Sequence, residues 1–196
     1  MPPRPAPGAG PRPAAPPDGP VWQSSSVLIA MAGLPAAGKS SLAEGLASAL
    51  SAPVVSVDPI EGALRRAGIE RAQPVGLAAY LAAEAVADGV LALGQTVIVD
   101  AVNAVEPARR QWRDLAARHR VRLAVIEVVC SDPALHRRRL EERVRGIEGI
   151  DEPDWAAVER RRAEYEPWAD RPLVLDSVDD LSGNVKHALE FVAGLR

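Results

Sequence analysis

The stretch Gly33–Ser40 reads GLPAAGKS and fits the spacing G-x-x-x-x-G-K-[ST]. Gly33 and Gly38 let the main chain turn with no side chain in the way, so successive N–H groups face inward as a nest for a polyphosphate. Lys39 adds a point charge for the outer phosphates, and the Ser40 hydroxyl is placed for Mg2+. Gly33, Leu34, Pro35, Ala36, Ala37, Gly38, Lys39, Ser40 and Ser41 make up the expected nucleotide-binding set.

Two carboxylates could complete the chemistry. Asp58 follows the apolar run Ala52–Val57, and Asp100 ends the apolar run Val97–Val99. A charge at the end of a buried strand is costly unless a cation or a donor meets it, which a metal–phosphate centre would do. Asp100 is therefore expected to serve Mg2+ beside Ser40, directly or through water. Asp58 is expected beyond a strand's carboxyl end, where it would face whatever lies opposite the phosphates. It also suits a helix N-cap, because Pro59 and Glu61 follow at first-turn positions. Arg139 and Arg143 are four apart, on one face of a helix, where two guanidinium forks could reach a nucleotide together.

These groups need a frame, and the hydrophobic pattern supplies one. An apolar strand at Val27–Ala32 feeds the glycine loop, which opens a helix carrying Leu42, Leu46 and Leu50. Further strands are expected at Ala52–Val57, Val97–Val99, Val121–Val129 and Pro172–Leu175. Helices are expected after Asp58, over Pro74–Leu93 with Leu77, Leu81, Val86, Val90 and Leu93 inward, over Glu106–Arg120, from Pro133 to Arg145, around Asp154–Glu166, and over Ser182–Leu195. Strands alternating with helices argue for an α/β fold with a parallel five-stranded sheet and helices on both faces. Between the last two arginine-bearing helices, Gly146–Asp151 reads as a mobile connection.

Other polar residues carry simpler expectations. Asp132 before Pro133 is a cap; His119 is a surface residue; Trp112 belongs to the core; Trp155 and Trp168 pack helices. Arg137, Arg138 and Arg160–Arg162 read as solvated, since acids nearly balance arginines there. Cys130 reads as a buried thiol.

Composition narrows the class. The chain has 196 residues, a formal net charge of −3 and one cysteine. That charge does not suggest a sequence-blind nucleic-acid binder, and one cysteine leaves no intrachain disulfide to form. No uninterrupted run of about 18 apolar residues is present, so no membrane association and a cytoplasmic location are expected. Residues 1–25 hold half of the 18 prolines and almost no large apolar side chains, so they are expected to be a disordered extension preceding a single domain at 26–196.

GLPAAGKSSLAEGLA, the strand-end Asp58, the VIVDAVN segment and the paired arginines of RLEER resemble the small P-loop kinases and AAA-type ATPase-domain proteins, including zeta-toxin-like, chloramphenicol phosphotransferase-like and 5′-polynucleotide-kinase-like members. The resemblance runs from about Ser26 to the C-terminus. It implies a three-layer P-loop NTPase fold of nucleoside-kinase-like strand order, with an arginine-bearing lid at about 137–155. By resemblance Asp58 is the base for an acceptor hydroxyl, Arg139 stacks on the nucleotide base and Arg143 steadies the transferred group. Asn103 and Arg109 fall where substrate-side or loop-organising residues lie. The implied activity is ATP-dependent (or GTP-dependent), Mg2+-requiring phosphorylation of a small-molecule hydroxyl. Alternatives are a nucleotide-dependent ATPase or switch with a protein partner, and a 5′-hydroxyl polynucleotide kinase.

Overall fold

A computed structural model describes residues 26–69, 75–143, 146–150, 152–169 and 171–195. The proline-rich arm, Pro74 and Asp151 lie outside the described residues. In chain order the elements are β1 (Val27–Ala32), α1 (Lys39–Leu50), β2 (Val54–Ser56), α2 (Val57–Arg66), α3 (Val75–Ala92), β3 (Val97–Asp100), α4 (Glu106–His119), β4 (Arg122–Val129), α5 (Pro133–Glu142), α6 (Trp155–Glu164), β5 (Leu173–Asp176) and α7 (Leu181–Gly194). The five strands pair in parallel in the order β2-β3-β1-β4-β5. This is the expected α/β fold. β1 is central, and the chain builds β2 and β3 on one side of it before crossing to β4 and β5. That reversal opens a crevice beyond the strands' carboxyl ends, where the glycine loop leaves β1.

Because strand side chains alternate, β1 feeds two cores. Val27, Ile29 and Met31 join Leu42 and Leu46 of α1 and Ala188 and Val192 of α7. Leu28 and Ala30 join Ala79, Ala83 and Ala87 of α3 and Trp112 and Leu115 of α4. Burial on both faces is why β1 reads as an unbroken apolar run.

Helix α3 turns the opposite way from its leucine pattern. Val75, Ala79, Ala83, Ala87 and Leu91 are buried, whereas Leu77, Leu81, Val86 and Leu93 are 52–76% exposed. Alanines let the α3 backbone lie close to its neighbours, and a helix apolar on most sides carries no periodic signal for its inner face. By length and composition α3 is the one helix among the described residues that could cross a bilayer. Its alanine stripe instead completes the second core. Arg118 and His119 of α4 clasp Asp88 of α3, so His119 is a half-buried tie and not a free surface residue.

Local rules placed the other ends unevenly. Asp132 caps α5 by accepting from the Ala134 and Leu135 N–H groups, as expected. Asp58 is not a cap: α2 starts one residue earlier, Ser56 is the N-cap residue, and no side chain caps it. α5 ends at Glu142, and Arg143 is already extended, so Arg139 and Arg143 do not share a helix face.

Inserting bulk under α3 tests its orientation. Ala83→Leu should lower stability by about 1–3 kcal/mol through overpacking, whereas Leu81→Ser should stay within about 0.5 kcal/mol. Urea midpoints for the two variants measure this, and the reverse order would mean that the leucine face is inward.

Candidate active site

The glycine loop is held from three sides. At Gly33 φ is 130°, and a Cβ there would lie 2.2 Å from the Val128 carbonyl oxygen, so β4 leaves no room for any side chain. The Gly33 N–H donates to the Val102 carbonyl at 3.2 Å. At Gly38 φ is 101°, and a Cβ would meet the Ser177 Cβ at 3.0 Å. Gly38 is also the N-cap position of α1 and offers no side-chain cap, which leaves first-turn N–H groups for an anion at the positive end of the helix. Ala36 has φ 62°, a left-handed conformation rare outside glycine.

Lys39 is buried, and its Nζ donates to the Leu34 carbonyl at 2.9 Å. Ser40 Oγ donates to Asp100 Oδ2 at 2.7 Å, joining the two predicted metal-site residues across α1 and β3. A hydroxyl and a carboxylate are hard oxygen donors that suit Mg2+, which is commonly held by one or two side chains together with phosphates and water. Among the described residues no group of three or more His, Cys, Asp or Glu side chains forms a dedicated metal cage.

Around this loop lies a cleft of about 840 Å³. Ser177, Val178 and Asn184, after β5, line it beside Gly38, Lys39, Ser40 and Ser41. Its walls also include Asp58, Glu61 and Arg65 along α2, Asp100, and Ile147, Ile150 and Arg161 from the segments after α5. The Tyr80 phenol accepts from the Asn103 N–H at 3.2 Å, and burial raises its pKa above the usual tyrosine value.

Both predicted arginines line the cleft. Arg139 is anchored by donating to Ser177 Oγ at 2.7 Å and to the Ser177 carbonyl at 3.0 Å. Cys130, half-buried and not fully enclosed as expected, lies 3.8 Å from the same guanidinium. Arg143 pairs with Glu152 at 2.6 Å. Segment 146–150 packs on α2: a Cβ on Gly62 would meet the Glu148 carbonyl oxygen and the Ile147 side chain, both at 2.8 Å.

Asn103 and Arg109 lie elsewhere. Asn103 is fully buried; its Nδ2 donates to the Met31 carbonyl at 2.7 Å, and its Oδ1 accepts from Trp112 Nε1 at 2.9 Å. Arg109 is 1% exposed and donates to the carbonyls of Asn103, Ala104, Glu166 and Pro167, with its guanidinium 4.1 Å from the Trp168 ring centre. Neither lines the cleft; both organise loops, and Trp168 is a stacking partner for Arg109. At the level of sequence His136 had no assigned role, and Arg161 and Arg162 read only as solvated. Arg161 lines the cleft, while Arg162 and the buried His136 form a contact behind the glycine loop. Their signal was masked by the balanced charge of the segment.

The planar fork of Arg109 serves four carbonyls, a task a lysine ammonium does not match. Arg109→Lys should cost on the order of 3 kcal/mol, read as a lowered denaturant midpoint, because carbonyls are left unpaired in the interior.

The AAA domain model AAA_33 matches residues 28–168. No curated protein matches the sequence. Among solved structures, Kti12 of Chaetomium thermophilum, in complex with ADP-AlF3, has a TM-score of 0.67 at 22% identity, over 86% of this chain and 98% of that one. The APS kinase CysC of Mycobacterium tuberculosis, in complex with AMPPNP and APS, has a TM-score of 0.63 at 18% identity over 86% and 98%. A gluconokinase from Sinorhizobium meliloti has a TM-score of 0.60 at 20% identity over 87% and 92%. With a glycine loop at the sheet's reversal point and a family model spanning residues 28–168, the chain belongs to the AAA domain family and has the fold of the small P-loop kinases.

Proposed function

We propose that the protein is an Mg2+-dependent phosphotransferase that moves the γ-phosphoryl group of ATP, or of GTP, to a hydroxyl of a small molecule. The observation that carries this reading is that a single cleft is lined by the glycine loop, the Ser40–Asp100 pair and the Asp58 carboxylate. Similarity to an APS kinase and a gluconokinase supports a small acceptor over a polymer.

In this reading the loop N–H groups and Lys39 hold the triphosphate, so Lys39 exchanges the Leu34 carbonyl for phosphate oxygens. Ser40 and Asp100 would hold Mg2+, which when bound neutralises charge on the outer phosphates. The acceptor hydroxyl oxygen attacks the γ-phosphorus as its proton passes to Asp58. The bond from that phosphorus to the bridging oxygen breaks, and the nucleoside diphosphate leaves with the electron pair. Positioning and electrostatics supply most of the acceleration. Arg139, anchored beside Gly38 through Ser177, suits the nucleotide base, and Arg143 suits the transferred group. The region of about 137–155 acts as a lid, and the close approach of segment 146–150 to Gly62 supports a closed arrangement.

Lys39→Ala should abolish both nucleotide binding and turnover. Asp58→Asn should keep nucleotide affinity by calorimetry and lose about a hundred- to ten-thousand-fold in transfer rate. A mass-spectrometric screen of hydroxyl compounds with Mg-ATP, seeking the gain of one phosphoryl group, identifies the acceptor. Unchanged transfer in the Asp58 variant would remove it as the base; nucleotide turnover indifferent to every hydroxyl compound would replace the kinase by an ATPase.

A further inference from the structure

His136 sits on α5, is 1% exposed, and does not line the cleft. Its Nε2 lies 2.7 Å from the Pro35 carbonyl oxygen in the middle of the glycine loop. Its Nδ1 lies 3.3 Å from Nη2 of Arg162 on α6. Trp155, the first residue of α6, packs edge-on against the imidazole with ring centres 5.3 Å apart, and the Arg162 guanidinium lies 5.6 Å from the centre of the Trp155 ring. One buried imidazole therefore joins the loop to two helices of the cleft's outer wall.

The neighbours fix its protonation. A carbonyl only accepts and a guanidinium only donates, so the proton is on Nε2 and the lone pair on Nδ1. The imidazole is neutral and in one tautomer. Burial holds its pKa below the ordinary histidine value; the bond to Pro35 opposes this, and the nearby cations Arg162, Lys39 and Arg139 add to it.

The bond to Pro35 acts on the next amide. In a planar trans peptide the carbonyl and the following N–H point in opposite directions. With the Pro35 carbonyl drawn toward α5, the Ala36 N–H is turned away from α5. Ala36 itself lines the cleft and holds φ 62°, a conformation that costs a non-glycine residue on the order of 1–2 kcal/mol and persists only where surrounding contacts enforce it.

We propose that His136 is a positioning residue for the phosphate loop: it pins the Pro35–Ala36 peptide so that the Ala36 N–H faces the bound phosphates, and Arg162 fixes the tautomer that makes this bond. Phosphate affinity then depends on how α6 packs on α5. This rests on the reading of the loop as a nucleotide site.

The test compares His136→Leu, which keeps bulk but has no polar atom, with His136→Gln, whose amide both donates and accepts. Titrations with Mg-ATP and with inorganic triphosphate are the readouts. His136→Leu should weaken both probes by about tenfold, the worth of one hydrogen bond to an anion, and His136→Gln should restore most of the loss. Equal affinities in wild type and a folded His136→Leu, or loss for ATP alone, would overturn the proposal. Absence of binding of either probe to the wild type would instead overturn the nucleotide-site reading. If His136→Leu does not fold, Arg162→Leu serves, since Arg162 is 41% exposed. It should weaken triphosphate binding several-fold and shift the imidazole Nδ1 resonance; unchanged affinity would overturn the proposal.

A pH series adds a second readout. A histidine with a lowered folded-state pKa takes up its proton more readily when unfolded. Its contribution is retained above about pH 6.5 and lost as pH falls below that value. The thermal midpoint should therefore drop further between pH 7 and pH 5 in wild type than in His136→Gln, and an identical drop would rule out the neutral, buried tautomer.

Discussion

A cradle made of backbone N–H groups must turn its own carbonyls outward, and every outward carbonyl in the interior needs a donor. That constraint governs the centre of this protein. The Leu34 carbonyl accepts from the Lys39 ammonium and the Ala37 N–H, and the Gly38 carbonyl accepts from the Leu42 N–H within α1. The Pro35 carbonyl takes its donor from His136, more than a hundred residues away in sequence. The nest is thus a local motif completed by a distant helix.

A second polar framework holds the strand ends on which the cradle stands. Asn103, in a left-handed conformation, reaches back to the end of β1 at Met31 and is gripped by Trp112 of α4. Arg109 extends the framework by tying residues 103–104 to 166–167 through four carbonyls. Buried polar groups of this kind are costly when unpaired. Among the described residues no buried side-chain nitrogen or oxygen lacks a partner. The interior polar groups therefore fix where β1 stops and hence where the loop begins.

The cleft also joins parts with different origins. Gly38 lies against Ser177, the residue that anchors Arg139, so the loop after β5, the helix α5 and the phosphate loop meet at one point. On the other side, Gly62 lets segment 146–150 settle on α2 close to Asp58. Both contacts require glycine or a small residue because main chain approaches main chain or a short side chain.

By itself the sequence determined the glycine loop, the alternation of strands and helices, the parallel five-stranded α/β fold, and the Asp132 cap. Each depends on periodicity or on groups within a few residues of one another. The Ser40–Asp100 pair was also legible, because both residues sit at ends of elements that a parallel sheet brings to the same edge. Tertiary structure alone decided which face of α3 turns inward, since a helix apolar nearly all round packs by shape and its alanines allow the closest approach. It alone decided that Arg109 is interior while Arg110 is exposed, because an arginine's burial depends on carbonyls brought to it from 57 and 58 residues away. His136 is the sharpest case: in sequence it is one polar residue in a charged helix, and only the packing of α5 behind the loop and of α6 against α5 gives its two nitrogens their partners.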